Sequence, residues 1–202
     1  WVMDIGVSQF VYISSAHVYG DLNRKLDEKT ETNPHSLYAI LHLFAENYIQ
    51  SVFNNKVIVR PNAVYGDIPP GFKRWELIPF SFPRDLALKR KIVIRSHGKM
   101  SRNFISNITI AEMISNSILK SFIGIINPLG VHTYSVIEFA NFCVETINKE
   151  VNVDLTVDVI SKADYVNLFQ YTSKFKQPNE DQAKLREHII RLYRNFKEQN
   201  GC

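Results

Sequence analysis

With 202 residues and a mass of 23.4 kDa, the chain suffices for one large domain or two small ones, with a core hiding about 70% of its unfolded surface. Its 45% hydrophobic and 22% charged residues exclude a disordered tail, a collagen-like repeat or a low-complexity segment, and two cysteines, Cys143 and Cys202, exclude a disulfide framework or a zinc cluster. The net charge of +4 comes from scattered basic residues, and there is neither an apolar run of about 18 residues nor a basic-then-apolar leader, so a cytoplasmic protein with no nucleic-acid and no membrane partner is expected.

Phe10-Val11-Tyr12-Ile13, closed by Ser14-Ser15, reads as a buried strand. A polar loop runs to Asn33-Pro34. From there Leu37, Tyr38, Ile40, Leu41, Phe44, Ala45, Tyr48 and Ile49 recur at helical spacing to about Phe53. This helix is apolar round much of its circumference, so it is expected to be covered on two sides. Asn54-Asn55 breaks it, and Lys56 to Arg60 reads as a second buried strand stopped by Pro61. Strand, long helix and strand at this spacing make a parallel crossover, hence α/β architecture.

Beyond Gly66 the texture changes. Pro69-Pro70-Gly71 opens an irregular aromatic segment, and Pro79 and Pro83 are expected to interrupt what would otherwise be one helix. Lys89-Arg90-Lys91 with Arg95 reads as a solvated helix end beside an Ile92-Val93-Ile94 strand. A strand near 103–106, a helix over 109–121 and a strand at 123–126 follow. Ser135 caps a helix to about Lys149, and Val151 to Ile160 alternates like a strand with one wet face. In the last helix Leu185, Ile189, Leu192, Tyr193 and Phe196 share one stripe.

Three segments carry the chemistry: Ser14-Ser15-Ala16-His17-Val18-Tyr19-Gly20 after the first strand, Tyr38 in the long helix, and Arg60-Pro61-Asn62-Ala63-Val64-Tyr65-Gly66 after the second strand. Loops leaving the C-terminal ends of parallel strands open into one crevice, where ligands bind. Together with Gly98, Ser101-Arg102-Asn103-Phe104-Ile105 and Gly124-Ile125-Ile126-Asn127, these turns occur in the order and spacing of the extended short-chain dehydrogenase/reductases. The chain resembles that NAD-dependent epimerase/dehydratase family from about Phe10 to Ala140.

The resemblance implies the C-terminal portion of a Rossmann-like parallel sheet plus a smaller α/β substrate-binding region. Residues 1–66 would form the second half of the core and 67–202 the substrate region, with strand 123–127 returning to the core sheet. It implies an NAD(P)-dependent epimerase or reductase of a nucleotide sugar. A hydride moves between a sugar carbon and the nicotinamide, and a phenol serves as acid or base if its pKa, about 10 in isolation, is drawn toward neutrality. By resemblance Tyr38 holds that role and Ser15, 23 residues earlier, bonds the same oxygen. The cofactor, NAD or NADP, would touch Ser14, Tyr38, His42, Arg60 and Pro61. The substrate would touch Ala16, His17, Asn62 and Arg102, the arginine pairing with the pyrophosphate. A homodimer through helix 34–53 matches the family's habit.

The departures are as informative. The family helix reads Tyr-x-x-x-Lys, where the ammonium anchors the ribose and assists the tyrosine; this chain has Tyr38-Ala39-Ile40-Leu41-His42. Each tenfold of lost phenolate is worth about 1.4 kcal/mol. Ala63 stands where the family usually has asparagine, and no Arg-x-Gly-Asp follows. Ala16-His17 replaces the Asp-Glu pair of sugar 4,6-dehydratases, which argues against that elimination. No GxGxxG occurs among the glycines, so the phosphate-binding turn is not in this chain. By resemblance the sequence begins before the family's fifth strand, with Trp1 to Val7 as the tail of a crossover helix: a fragment whose cofactor site is incomplete. The alternative is a catalytically degenerate relative serving as a binding or scaffold protein.

Overall fold

The computed structural model describes residues 6–161, 163–175, 177 and 182–199; most of the expected helix tail at 1–7, and Cys202, lie outside them. In chain order the elements are β1 (Phe10–Ile13), a single 3-10 turn (Ala16–Tyr19), β2 (Lys25–Leu26), α1 (Leu37–Val52), β3 (Lys56–Val59), β4 (Ala63–Tyr65), α2 (Ile78–Lys89) and β5 (Lys91–Ile94). They continue as β6 (Ser101–Ser106), α3 (Asn107–Leu119), β7 (Gly124–Ile126), β8 (His132–Ser135), α4 (Val136–Asn148), β9 (Thr156–Val159), β10 (Gln170–Tyr171) and α5 (Gln182–Gln199).

The chain forms two units. The first comprises Trp1–Asn62, Ile108–Leu129 and Leu168–Pro178. It thus takes in two segments later than 1–66, the first of which contains the strand expected at 123–127, while the Ala63–Tyr65 strand belongs to the second unit. Its sheet has the order β1-β3-β7, all parallel. The middle strand is apolar on both faces, Val57, Ile58 and Val59 all being buried, as parallel sheets require. Ser36 caps α1, its hydroxyl accepting from Ala39 N at 3.3 Å. Phe10 and Tyr12 share one face of β1 by the two-residue period. That face meets α1, where Phe10 stacks on Phe53 at 4.5 Å. A parallel ladder of β2 with β10 completes the unit.

Within the first unit α1 is covered on one side only. Ala39, Glu46 and Ile49 are buried, whereas Leu37, Ile40, Leu41, Phe44 and Tyr48 are exposed. The expected coverage on two sides is therefore absent among the described residues, since no other segment of the unit reaches that face.

The second unit, Ala63–Asn107, Gly130–Asn167 and Asn179–Cys202, holds β4-β6-β8, with β4 parallel and β8 antiparallel to β6, and a separate parallel pair of β5 and β9. Its core gathers Phe82, Leu86, Phe104, Phe139, Cys143, Leu185 and Ile189. Ser135 opens α4 with a full capping box to Glu138. Two expectations are corrected here. The strand read over 151–160 is ordered as β9 only from Thr156 to Val159. And α2 is one helix, not two. Pro79 sits in its first turn, where no donor is needed. Pro83, inside the helix, cannot donate to the Pro79 carbonyl; His188 of α5 fills that role, its Nε2 lying 3.1 Å from Pro79 O.

Candidate active site

At the C-terminal ends of β1 and β3 the strand ladder continues past the strands. Ser14 N donates to Val59 O at 2.7 Å and Ala16 N to Pro61 O at 2.8 Å, while Arg60 N donates to Ile126 O at 2.9 Å. The Ser-Ser-Ala turn and the Arg-Pro turn therefore run side by side, because their parent strands pair in register. Ser15 is in extended conformation and caps the 3-10 turn, its Oγ accepting from His17 N at 3.3 Å. The turn ends at Gly20, whose φ is +77° and where a Cβ would stand 1.9 Å from Asn33 O; only glycine lets the two loops pass so closely.

Tyr38 lies in the first turn of α1 and is 49% exposed. Its ring stands edge-on to His42, with centroids 4.5 Å apart, and edge-on to His17 at 6.2 Å. One helical turn places residues 38 and 42 on a common face. His42 Nδ1 lies 2.8 Å from the Tyr12 hydroxyl on β1. Burial lowers the His42 pKa from its usual 6.5, with the Glu46 charge opposing it, so the imidazole is neutral at pH 7. Burial raises the Tyr12 pKa, followed by the nearby Glu46 and Tyr38.

Beneath this face lies a buried ion pair. Arg60 Nη2 reaches Glu46 Oε2 at 2.6 Å and Arg60 Nε reaches Glu46 Oε1 at 3.0 Å. The guanidinium also stacks over the Tyr19 ring at 4.8 Å. Tyr19 in turn donates to Asn127 Oδ1 at 2.8 Å, and Tyr171 donates to the Arg60 carbonyl. This network joins the two turns, α1 and β7 from below.

The structure thus brings Ser14, Ser15, His17, Tyr38, His42, Arg60, Pro61 and Asn62 into the first unit. The surroundings of Ala16 and Arg60 are less open than those of a ligand-facing side chain. Ala16, expected at the substrate, is fully buried in a small core with Tyr19, Leu22, Leu26 and Tyr171; His17 is the exposed member of that pair. The Arg60 side chain is committed to Glu46 and Tyr19, not to open solvent. Arg102 lies in the second unit, half-buried, with Nη1 donating to Ser101 O at 2.8 Å and burial pulling its pKa down. Sequence reasoning missed Tyr12 and Glu46. The signal was present: Glu46 follows His42 by one helical turn, and Tyr12 sits on the α1-facing side of the strand leading to Ser14.

A nicotinamide dinucleotide needs donors and acceptors at the end of such a sheet. The buried Ser14 Oγ, which has no hydrogen-bond partner among the described residues, is an orphan of the kind a bound cofactor satisfies.

The sequence model of the NAD dependent epimerase/dehydratase family matches residues 1–115. The dTDP-D-glucose 4,6-dehydratases of Homo sapiens and Bos taurus are each 30% identical over 167 residues, covering 80% of this chain and 46% and 45% of their own lengths. The chain therefore spans about half the length of the curated relatives it matches. Among solved structures, a UDP-glucuronic acid 4-epimerase from Bacillus cereus in complex with NAD superposes with a TM-score of 0.71 at 19% identity, over 95% of this chain and 62% of that one. RMD from Pseudomonas aeruginosa complexed with NADPH gives 0.72 at 15% identity, over 98% and 70%. The fold is α/β and corresponds to part of these Rossmann-like enzymes.

Proposed function

The chain belongs to the NAD dependent epimerase/dehydratase family, and on that premise we propose that it carries the acid–base chemistry of an NAD(P)-dependent epimerase or reductase acting on a nucleotide sugar. One observation carries the reading: the Ser15 turn and the Arg60-Pro61 turn run side by side at the end of a parallel sheet, with the Tyr38 ring against His17 of the first turn.

The nicotinamide, when bound, takes up and returns a hydride. The chain's own residues handle the proton. Tyr38, with its ring half in solvent, gives or takes the proton of the sugar oxygen. Ser15 accepts from His17 N, which leaves its own O–H to donate to that same oxygen. His42 donates to a ribose hydroxyl, as the lysine of the family helix does, but as a neutral ring. Ser14 meets the cofactor with its unsatisfied hydroxyl, and the Arg60-Pro61 turn supports it from below through the Glu46 pair. His17 and Asn62, both of the first unit, face the sugar nucleotide.

Ala16 and His17 offer no carboxylic acid for eliminating water, so we favour epimerisation or reduction over the 4,6-dehydration in the names of the curated relatives. Those relatives give no support to a degenerate binding protein. The apolar face left open on α1 supports a homodimer through that helix. The deciding experiment offers a panel of nucleoside-diphosphate sugars with NAD(H) or NADP(H) to the protein and separates the products. Tyr38→Phe should lower turnover by about 10²–10⁴-fold; an unchanged rate overturns the assignment.

A further inference from the structure

His42 replaces an ammonium with a ring that has two nitrogens, and which of them carries the proton depends on the partner of the other. Nδ1 has such a partner, the Tyr12 hydroxyl at 2.8 Å. Tyr12 is aimed at α1 by the strand's alternation, beside Phe10, which stacks on Phe53. The ionisable groups facing His42 are Tyr12 from β1 and Tyr38 and Glu46 from α1, with the Glu46 carboxylate already held by Arg60. A phenol is a stronger acid than a neutral imidazole N–H, and the imidazole nitrogen is the stronger base. In this pair the O–H therefore donates and Nδ1 accepts. The ring proton then sits on Nε2, on the edge away from Tyr12.

We propose that Tyr12 is a positioning residue: its phenol fixes His42 as the Nε2–H tautomer and makes that histidine a committed hydrogen-bond donor on the Tyr38 face of α1. The inference rests on the reading of Tyr38 and His42 as the hydride-transfer pair. Burial, which keeps the imidazole neutral near pH 7, acts in the same direction, since an imidazolium could not accept from Tyr12. A lysine at this position would need no such partner, so Tyr12 matters here because residue 42 is histidine.

Nitrogen-15 NMR of the histidine rings in the 202-residue chain tests this without any turnover. Wild-type His42 should show a protonated Nε2 and an accepting Nδ1. Tyr12→Phe, which removes one oxygen and keeps the ring, should give a mixture of tautomers. A wild-type His42 protonated on Nδ1 overturns the proposal even if the variant does not fold, and so does a Tyr12→Phe spectrum identical to wild type. In the active enzyme Tyr12→Phe should lower kcat several-fold, and that loss should shrink in the His42→Lys background; an equal loss in both overturns the proposal. Should Tyr38→Phe retain full turnover, the hydride-transfer reading fails, while the tautomer measurement still stands or falls by itself.

Discussion

Tyr38 has as its neighbour one turn along α1 a ring that is neutral at pH 7 and that brings no positive charge to the phenol. His42→Lys supplies that charge and should raise kcat at neutral pH, whereas His42→Leu, which removes the donor, should lower it by about tenfold, equivalent to about 1.4 kcal/mol. Profiles of kcat against pH for the three proteins check both directions. The Glu46–Arg60 pair is a matter of stability instead. Both side chains are almost fully buried, so Glu46→Gln leaves a charge in the core without a counter-ion and should cost about 3–5 kcal/mol in denaturant unfolding. Replacing both partners by apolar residues should recover much of that loss. At this scale the positions of Ser15 after β1 and of Tyr38 in α1 were legible because each sits in a motif with fixed neighbours. Tyr12 and Glu46 were not, because their importance comes from which strand face meets which helix turn, and that is a property of packing.

Among the elements, the long and strongly patterned ones were legible: β1, α1, β3, α4 and α5 all fall where periodicity and capping residues put them. The two-to-four-residue strands β2, β4, β8 and β10 were not read, since their partners lie far off in sequence and no local pattern marks them. The proline-containing α2 was misread for a comparable reason. Its unfilled carbonyl is satisfied by a histidine 109 residues further on. That contact makes a double-mutant cycle informative. Restoring a backbone donor with Pro83→Ala should make His188→Phe less costly than it is in the wild type, with a coupling of about 1 kcal/mol. His188 also confers a pH dependence. Burial pushes its pKa down to about 4, below the 6.5 of the unfolded chain. The unfolded state therefore binds the proton first, and stability present above pH 6.5 is lost as the pH falls toward 4. The loss amounts to about 3 kcal/mol. Urea midpoints across this range should show it, and His188→Phe should flatten it.

For the molecule as a whole, the parallel crossover announced the α/β class and the resemblance implied a return of strand 123–127 to the core sheet, but no sequence pattern marked the rest of Ile108–Leu129, or Leu168–Pro178, as part of the first unit. The apolar character of α1 round much of its circumference was legible too, and part of that surface is exposed. Leu37, Leu41, Phe44 and Tyr48 follow one another at helical spacing and are each between 58% and 71% exposed. A helix of 16 residues is about 24 Å long, and four large apolar side chains along it form a contiguous patch of the sort soluble monomers rarely display. A two-fold axis would let this stripe bury itself against its own copy. Leu41 and Phe44 are mostly exposed, and substitutions at exposed positions usually change stability by no more than about 0.5 kcal/mol. Leu41→Glu combined with Phe44→Glu should therefore leave the folding transition in place while converting a dimer to a monomer in sedimentation equilibrium. A wild type that already sediments as a monomer at micromolar concentration would show that the stripe meets a different surface.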